Sequence, residues 1–320
     1  MRWIITGGAG FIGKNLVIEL LKRLEDVVVI DKVPYMASGY DGIEVVQDCI
    51  EHLTYLQRDL TKTQDLDFSE WFSQDGGDVV VHLAAMSGVK DCSAVPLSAF
   101  YINLEATFSL LDGAADFNAR RFVYASSGAV VAGREGRPSE VASPQPVNVY
   151  GSMKAAAEQL CKGFFHERGL STTAMRFSNV YGPYSQRKGS AVHKFVRGAL
   201  SGGTLKVHGD GRQRRDFVFV EDVAEALMAA GMLPREGANT FHVSSGESTA
   251  ILDDDGVDSL YDLVCRAVEK DEVPFDLVEE DPGVLEASLD STVSRRILGI
   301  GNPTPLAIGL NATIHWYRQQ

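Results

Sequence analysis

The chain predicts an α/β fold, a doubly wound parallel sheet with helices on both faces. Three observations predict it. Short Val/Ile-rich runs without polar alternation suit strands buried on both faces. Runs with helical spacing alternate with them through the first half. A glycine-rich turn, Gly7-Gly8-Ala9-Gly10-Phe11-Ile12-Gly13, joins the first such strand to the first such helix.

In chain order, Trp3-Ile4-Ile5 reads as a strand and Phe11 to Leu24 as a helix. Val27-Val28-Val29-Ile30, Val79-Val80-Val81-His82-Leu83 and Phe122-Val123-Tyr124 read as further strands. Ala99 to Phe117 and Ser152 to His166 have helical spacing. After about residue 175 the pattern loosens. A basic stretch contains Arg187, Lys188, Lys194, Arg197, Lys206, Arg212, Arg214 and Arg215. Phe217-Val218-Phe219-Val220 then leads into a helix from Val223 to Met232, and Leu306 to Tyr317 reads as a terminal helix. The expected organisation is a dinucleotide-binding domain over 1–174, to which the chain returns at about 216–235. A smaller, irregular, interleaved substrate-binding domain covers 175–320.

The 320 residues allow one large or two medium domains. Hydrophobic residues make up 45% and charged residues 23%, as in ordinary globular proteins. A net charge of −13 argues against a nucleic-acid partner, which needs a basic face. Cys49, Cys92, Cys161 and Cys265 are far apart and form no CxxC pair, so neither a disulfide framework nor a zinc site is expected. The sequence opens directly on a strand, with no signal-peptide pattern, and no apolar run approaches a membrane span. A cytoplasmic location and no membrane partner are expected. No metal is expected either: Asp253-Asp254-Asp255-Gly256 lacks the rest of a calcium loop and reads as solvated.

Gly7, Gly10 and Gly13 have the spacing of a phosphate loop. Glycine permits the tight turn and close approach of backbone N–H groups to a pyrophosphate, while the helix N-terminus adds positive partial charge. Asp31 closes the second strand, where a carboxylate accepts from adenosine ribose hydroxyls and repels a 2′-phosphate. NAD is therefore expected rather than NADP, with Lys32 beside the ribose site. Asp59-Leu60 falls where a third strand brings an acid to the adenine edge.

Ser126 and Ser127 end the strand after Arg121. Neither lies in Gly-x-Ser-x-Gly, so a hydrolase nucleophile is not indicated. Tyr150 and Lys154 are four apart on one helix face. A free tyrosine titrates near pH 10. A neighbouring ammonium and a positive nicotinamide ring favour its phenolate, which can then act as a general base.

With these motifs the chain resembles the extended short-chain dehydrogenases/reductases, in particular the nucleotide-sugar epimerases and dehydratases, whose dinucleotide domain is of Rossmann type. The glycine loop, Asp59-Leu60, His82-Leu83-Ala84-Ala85, Asn103, Ser126-Ser127 and Tyr150 to Lys154 carry the resemblance. So do Arg176-Phe177-Ser178-Asn179-Val180-Tyr181-Gly182-Pro183, Gly209-Asp210-Gly211, Arg215-Asp216-Phe217-Val218, Leu298-Gly299 and Trp316-Tyr317. The resemblance implies Tyr150 as base, Lys154 as its electrostatic partner and ribose ligand, and Ser127 as proton relay to the sugar hydroxyl. It implies that Gly7, Gly10, Phe11, Ile12 and Gly13 hold the cofactor with Leu83, Ala84, Ala85, Asn103, Ala125, Ser126, Phe177 and Val180. Ser87, Val89, Asn179, His193 and Val207 are the implied substrate-facing positions, with Arg215 as diphosphate clamp. The helical runs 99–117 and 152–166 match those that pair between subunits in relatives, so a homodimer is expected.

The chain departs from the family pattern in two places. One residue is extra after Ser127, in Gly128-Ala129-Val130-Val131-Ala132-Gly133, and counting from the strand rather than the loop keeps Ser127 in the catalytic position. Glu279-Glu280-Asp281-Pro282-Gly283 replaces a second phosphate-binding arginine with acids. Relatives that dehydrate the sugar carry Asp-Glu after the catalytic Ser/Thr; here Gly128 and Ala129 stand there. The expected activity is therefore an NAD-dependent nucleotide-sugar 4-epimerase. A 4-ketosugar reductase or dehydratase of the same fold remains an alternative, as does a non-catalytic dinucleotide-binding regulator.

Overall fold

Seven parallel strands form the central sheet in the computed structural model, which describes residues 1–186, 188–234, 236–252, 258–279 and 286–320. Arg187, the Asp253–Gly256 run and Glu280 to Gly283 of the acidic loop lie outside the described residues. The strands are β1 (Arg2–Thr6), β2 (Asp26–Asp31), β3 (Leu53–Gln57), β4 (Val79–His82), β5 (Arg121–Ser127), β6 (Thr172–Phe177) and an edge strand, Ala238–Val243. Across the sheet the order is Ala238–Val243, β6, β5, β4, β1, β2, β3. The chain winds outward from β1 to β3, then returns to the other side of β1 with β4. That reversal opens a crevice at the carboxyl ends of β1 and β4, where doubly wound sheets bind ligands.

Alternate residues of each strand face opposite layers. Trp3, Ile5, Val27, Val29, Val79 and Val81 pack on one side, with Leu16, Val17 and Leu20 of α1 (Phe11–Leu21) and with Val223, Ala224 and Leu227 of the helix Val220–Gly231. Ile4, Val28, Ile30, Val80, Phe122 and Tyr124 pack on the other, against the helices Ala106–Asp116 and Val149–Arg168. A separate apolar cluster, including Phe195, Leu205, Phe217, Phe219, Leu260, Val264 and Leu310, holds the second half together.

Several boundaries differ from the sequence reading. α1 stops at Leu21, and Leu24 adopts a left-handed conformation (φ 56°) that no helix continues. The later helix begins at Val220, with Glu221 and Asp222 favourably placed in its first turn. The helical run from Pro96 is interrupted by a π turn, Tyr101–Glu105, which carries Asn103. Ala238–Val243 pairs with β6, whereas Phe217–Phe219 pairs with Asn179–Tyr181 in a small separate ribbon.

Among the described residues no helix is long and apolar enough to cross a membrane. The four cysteines are free and buried. No group of three or more His, Cys, Asp or Glu among the described residues is arranged to hold a metal ion.

Candidate active site

A cleft of about 1020 Å³ opens over the carboxyl ends of the strands. Its floor is the glycine loop: Gly7, Gly10, Phe11, Ile12 and Gly13 all line it. Gly7 has φ +69°, and a Cβ there would lie 2.7 Å from the Ala84 nitrogen. A Cβ on Gly13 would lie 2.3 Å from the Gly7 oxygen. Both positions therefore exclude a side chain, and the loop presents bare backbone to the cleft, which leaves room for a pyrophosphate to approach.

Asp31, at the end of β2, is oriented by two backbone donors, Ala9 N–H and Val33 N–H, each at 3.0 Å. The Tyr40 hydroxyl donates to the Gly8 carbonyl at 2.7 Å and braces the loop from below. Lys32 and Asp59 stand at this outer end of the sheet, and Asp59 accepts from the Thr61 N–H and hydroxyl. Leu60 is buried in the core and Ala84 packs against the same core; neither lines the cleft.

At the opposite end stand Ser127, Tyr150 and Lys154, all lining the cleft. Asn148 caps the helix Val149–Arg168 by accepting from the Gly151 N–H at 2.8 Å, which sets Tyr150 in the first turn. A Cβ on Gly151 would lie 2.5 Å from the Ala129 oxygen, so the helix start and the turn after Ser127 are in direct contact. The chain after Ser127 forms a 3₁₀ turn, Gly128–Val131. Ser127 remains the last residue of β5, and its oxygen accepts from the Ala129 N–H at 3.2 Å.

Burial pushes the Tyr150 phenol up to about 12; a hydrogen bond with the Ser127 hydroxyl draws it back down, and Cys92 nearby raises it. Lys154 donates to the Ala125 carbonyl at 2.7 Å and lies 5.9 Å from the Tyr150 ring centroid. Burial holds this ammonium down at about 8, against the support of Cys92, Glu158 and Cys161. A buried cation beside a buried phenol lowers the cost of ionising the phenol.

Asn103 lies behind the site. It bonds both sides of the Met86 backbone, Oδ1 accepting at 2.9 Å and Nδ2 donating at 3.1 Å. Thr107 donates to the Asn103 carbonyl at 2.8 Å, so its oxygen accepts from His82 Nε2, and His82 Nδ1 accepts from Thr6. Burial keeps His82 neutral, down at about 3. This polar seam ties β1, which leads into the phosphate loop, to the π turn.

Leu83, Ala85, Ala125, Ser126, Phe177 and Val180 line the cleft, as do Ser87, Val89 and Asn179. Arg215 also lines it, held by a bond from its guanidinium to the Arg214 carbonyl at 2.8 Å, and burial lowers its pKa. His193 and Val207, expected to face the substrate, are instead fully buried and line no part of the cleft. His193 bonds Ser190 through Nδ1 at 2.7 Å and packs edge-on against Phe11, and burial keeps it neutral, down at about 3. Hydrophobic neighbours on the amphipathic helix Ala191–Ser201 pull its face inward.

Sequence reasoning missed three contributors. Lys188 lines the cleft with its ammonium lowered by burial; only its membership of a basic stretch signalled it. Asn148 was readable as an N-cap two residues before Tyr150. Glu158, one turn beyond Lys154, forms a buried ion pair with Arg176 at 2.7 Å.

Known proteins share this fold. The model of the NAD dependent epimerase/dehydratase family matches residues 3–244. The chain is 29% identical to a UDP-glucose 4-epimerase of Mycolicibacterium smegmatis over 100% of this chain and 99% of that one. It is 28% identical to a dTDP-D-glucose 4,6-dehydratase of Bos taurus over 99% of this chain and 89% of that one. Its structure superposes on the Thermus thermophilus UDP-glucose 4-epimerase complex with NAD at a TM-score of 0.84, with 26% identity and 99% of each chain covered.

Proposed function

The chain belongs to the NAD-dependent epimerase/dehydratase family, and from that premise we propose that it is a nucleotide-sugar 4-epimerase. Its cofactor is NAD, and the bare glycine cradle with Asp31 at the ribose end fits that dinucleotide. When bound, NAD supplies reversible hydride exchange with the sugar carbon.

The chain's own residues handle the proton. Tyr150 takes it from the C4 hydroxyl, with the Ser127 hydroxyl bridging the two oxygens. Lys154 supports the developing phenolate from behind. The free phenol, up at about 12, is a poor base at neutral pH. It becomes effective when further positive charge adjoins it, as the oxidised nicotinamide ring provides. The cleft gives the 4-keto sugar room to turn over, so that the opposite face of C4 would take the hydride while Tyr150 gives the proton back to the O4 oxygen. Arg215 and Lys188 supply the cations that a diphosphate requires in an acidic protein.

One observation favours epimerisation over dehydration. The residues after Ser127 are Gly128 and Ala129, and neither carries a proton. Among the described residues lining the cleft the one carboxylate is Glu286, paired in register with Arg214 on a different strand. Elimination of water needs an acid and a base at the sugar's own end.

The test is incubation of the purified protein with UDP-, dTDP-, GDP- and CDP-sugars, without added NAD(H), and product stereochemistry read by NMR. Inversion at C4 is expected. A 4-keto-6-deoxy product would replace the proposal with a dehydratase. Turnover that requires added NADH and a 4-ketosugar would replace it with a reductase. Retained NAD with no turnover on any sugar would favour a regulatory binding protein.

A further inference from the structure

Tyr150, Lys154 and Glu158 occupy positions i, i+4 and i+8 on one face of the helix Val149–Arg168. Each bonds a residue at the end of β5. Tyr150 meets the Ser127 hydroxyl, Lys154 the Ala125 carbonyl at 2.7 Å, and Glu158 the Ser126 hydroxyl at 2.5 Å. The third rung is anchored from the far side. Arg176, on β6 directly opposite Ser126, grips Glu158 in a bidentate pair, Nε to Oε1 at 2.8 Å and Nη2 to Oε2 at 2.7 Å. Both side chains are essentially sealed from solvent, at 0% and 2% exposure.

A sealed ion pair is a poor source of stability. Desolvation of both charges consumes most of the attraction, and an apolar pair of similar volume often stabilises as well or better. Folding alone does not explain two charges in this layer. Their position does: they lie one helical turn below the lysine and one residue before the serine of the catalytic set.

We propose that Glu158 and Arg176 are positioning residues: through Ser126 they fix the register of the catalytic helix on β5, and the Glu158 carboxylate sustains the Lys154 charge that Tyr150 needs. The groups facing Tyr150 and Lys154 are Cys92 from the helix Val89–Ala94, Ser127 and Tyr124 from β5, His82 from β4, Glu158 and Cys161 from their own helix, and Arg176 from β6 behind Glu158. His82 is neutral, and burial raises the Cys92, Cys161 and Tyr124 groups, which keeps them protonated. Glu158 is thus the one carboxylate among these groups. Loss of its charge leaves Arg176 to repel Lys154, and the ammonium loses its proton more readily.

The inference rests on Tyr150 being the base, and its test separates it from the epimerase reading. Glu158→Gln and the paired variant Glu158→Leu with Arg176→Met are loaded with NAD⁺. Tyr150 ionisation is then followed by tyrosinate ultraviolet absorbance, with Tyr150→Phe as the subtraction reference. The paired variant is expected to melt at or above the temperature of the unaltered protein. The tyrosinate midpoint should move alkaline by about one pH unit in Glu158→Gln and by a smaller, still resolvable amount in the paired variant, which loses the Glu158 support of Lys154 but also the Arg176 repulsion; kcat at neutral pH should fall in both, about tenfold in Glu158→Gln, with KM within about twofold. An unchanged midpoint with unchanged kcat in the folded paired variant would overturn the proposal. If Glu158→Gln alone fails to fold, the paired variant decides. If neither folds, the pair is a folding element and the proposal fails. The titration needs no sugar, so a shifted midpoint without epimerisation would sink the substrate reading and leave this one standing.

Discussion

Asp31 and Ala9 are joined by a hydrogen bond of 3.0 Å, from the backbone N–H of the phosphate loop to the carboxylate that closes β2. Asp31 and the glycine loop are therefore tied directly to each other. Asp31→Ser should weaken NAD⁺ binding by about 1.5–3 kcal/mol, the range for a lost charge-assisted bond. It should also narrow the preference over NADP⁺, because the repulsive charge is gone. Titration of apo-protein with both nucleotides checks this. Tighter NADP⁺ than NAD⁺ binding in the unaltered protein would defeat it.

Ser127 ends β5 and its hydroxyl meets the Tyr150 phenol. Ser127→Ala should lower kcat by roughly 10²-fold, as for other lost proton-transfer groups. Tyr150→Phe should abolish turnover and leave NAD affinity close to unchanged. A fully active Ser127→Ala variant would mean that the relay is another group in the turn after it.

Lys154 is expected to trade stability for activity. Its folded value of about 8 lies below the ordinary 10.5. The folded state therefore binds this proton less tightly than the unfolded chain does. Stability from this group is present above pH 10.5 and is lost as pH falls through 8. Lys154→Met removes the charge at neutral pH. It should raise unfolding free energy there by on the order of 2 kcal/mol, after subtraction of the lost bond to Ala125. The gain should vanish above pH 10.5, and activity should be lost at every pH. Denaturant melts of both proteins across that range measure it; a destabilised variant at neutral pH would contradict it.

Arg215 faces the cleft from a two-residue strand clamped between Thr249–Ala250 and Glu286–Ala287. Arg215→Ala should weaken binding of a free nucleoside diphosphate by about 1.5–3 kcal/mol. Calorimetry reads this directly. Unchanged affinity would assign the phosphates to other cations of the cleft, such as Lys188.

Leu97, Phe100, Tyr101 and Phe108 are all more than two-fifths exposed along the run Pro96–Asp116. Single exposed apolar residues are ordinary, but a row of aromatics along one helix is not. A homodimer through this face is expected. Sedimentation should give a dimer at micromolar concentration, and Phe108→Glu should shift it toward monomer. A monomeric unaltered protein would refute it.

The strands that were legible in the sequence are those with continuous apolar runs, β1, β2, β4 and β5. β6 reads Thr-Thr-Ala-Met-Arg-Phe and the edge strand Ala-Asn-Thr-Phe-His-Val. Their polar letters hid them, because a hydroxyl, guanidinium or imidazole satisfied by a specific partner can be buried as fully as valine. Thr172 donates to the Cys161 carbonyl, Arg176 to the Glu158 carboxylate, and His242 Nδ1–H to the Asp290 carbonyl. β3 is an edge strand with little burial, so no hydrophobic pattern marked it. In the site, local motifs were legible: the loop, the Tyr–Lys pair and Asp31 each lie within one strand–helix unit. His193 and Val207 were not, since their facing depends on how a distant helix and ribbon roll onto the core.

The contact between Gly151 and Ala129 limits what the lineage of this chain can become. A Cβ at 128 would stand at contact distance, 3.4 Å, from Leu289 and from the Phe177 carbonyl, so longer side chains there have little free space beyond it. The turn that would have to shift to admit longer side chains rests on the first turn of the helix, at a position where not even a methyl fits. Movement there carries Tyr150 with it. Any remodelling of residues 128 and 129 is thus mechanically coupled to where Tyr150 stands.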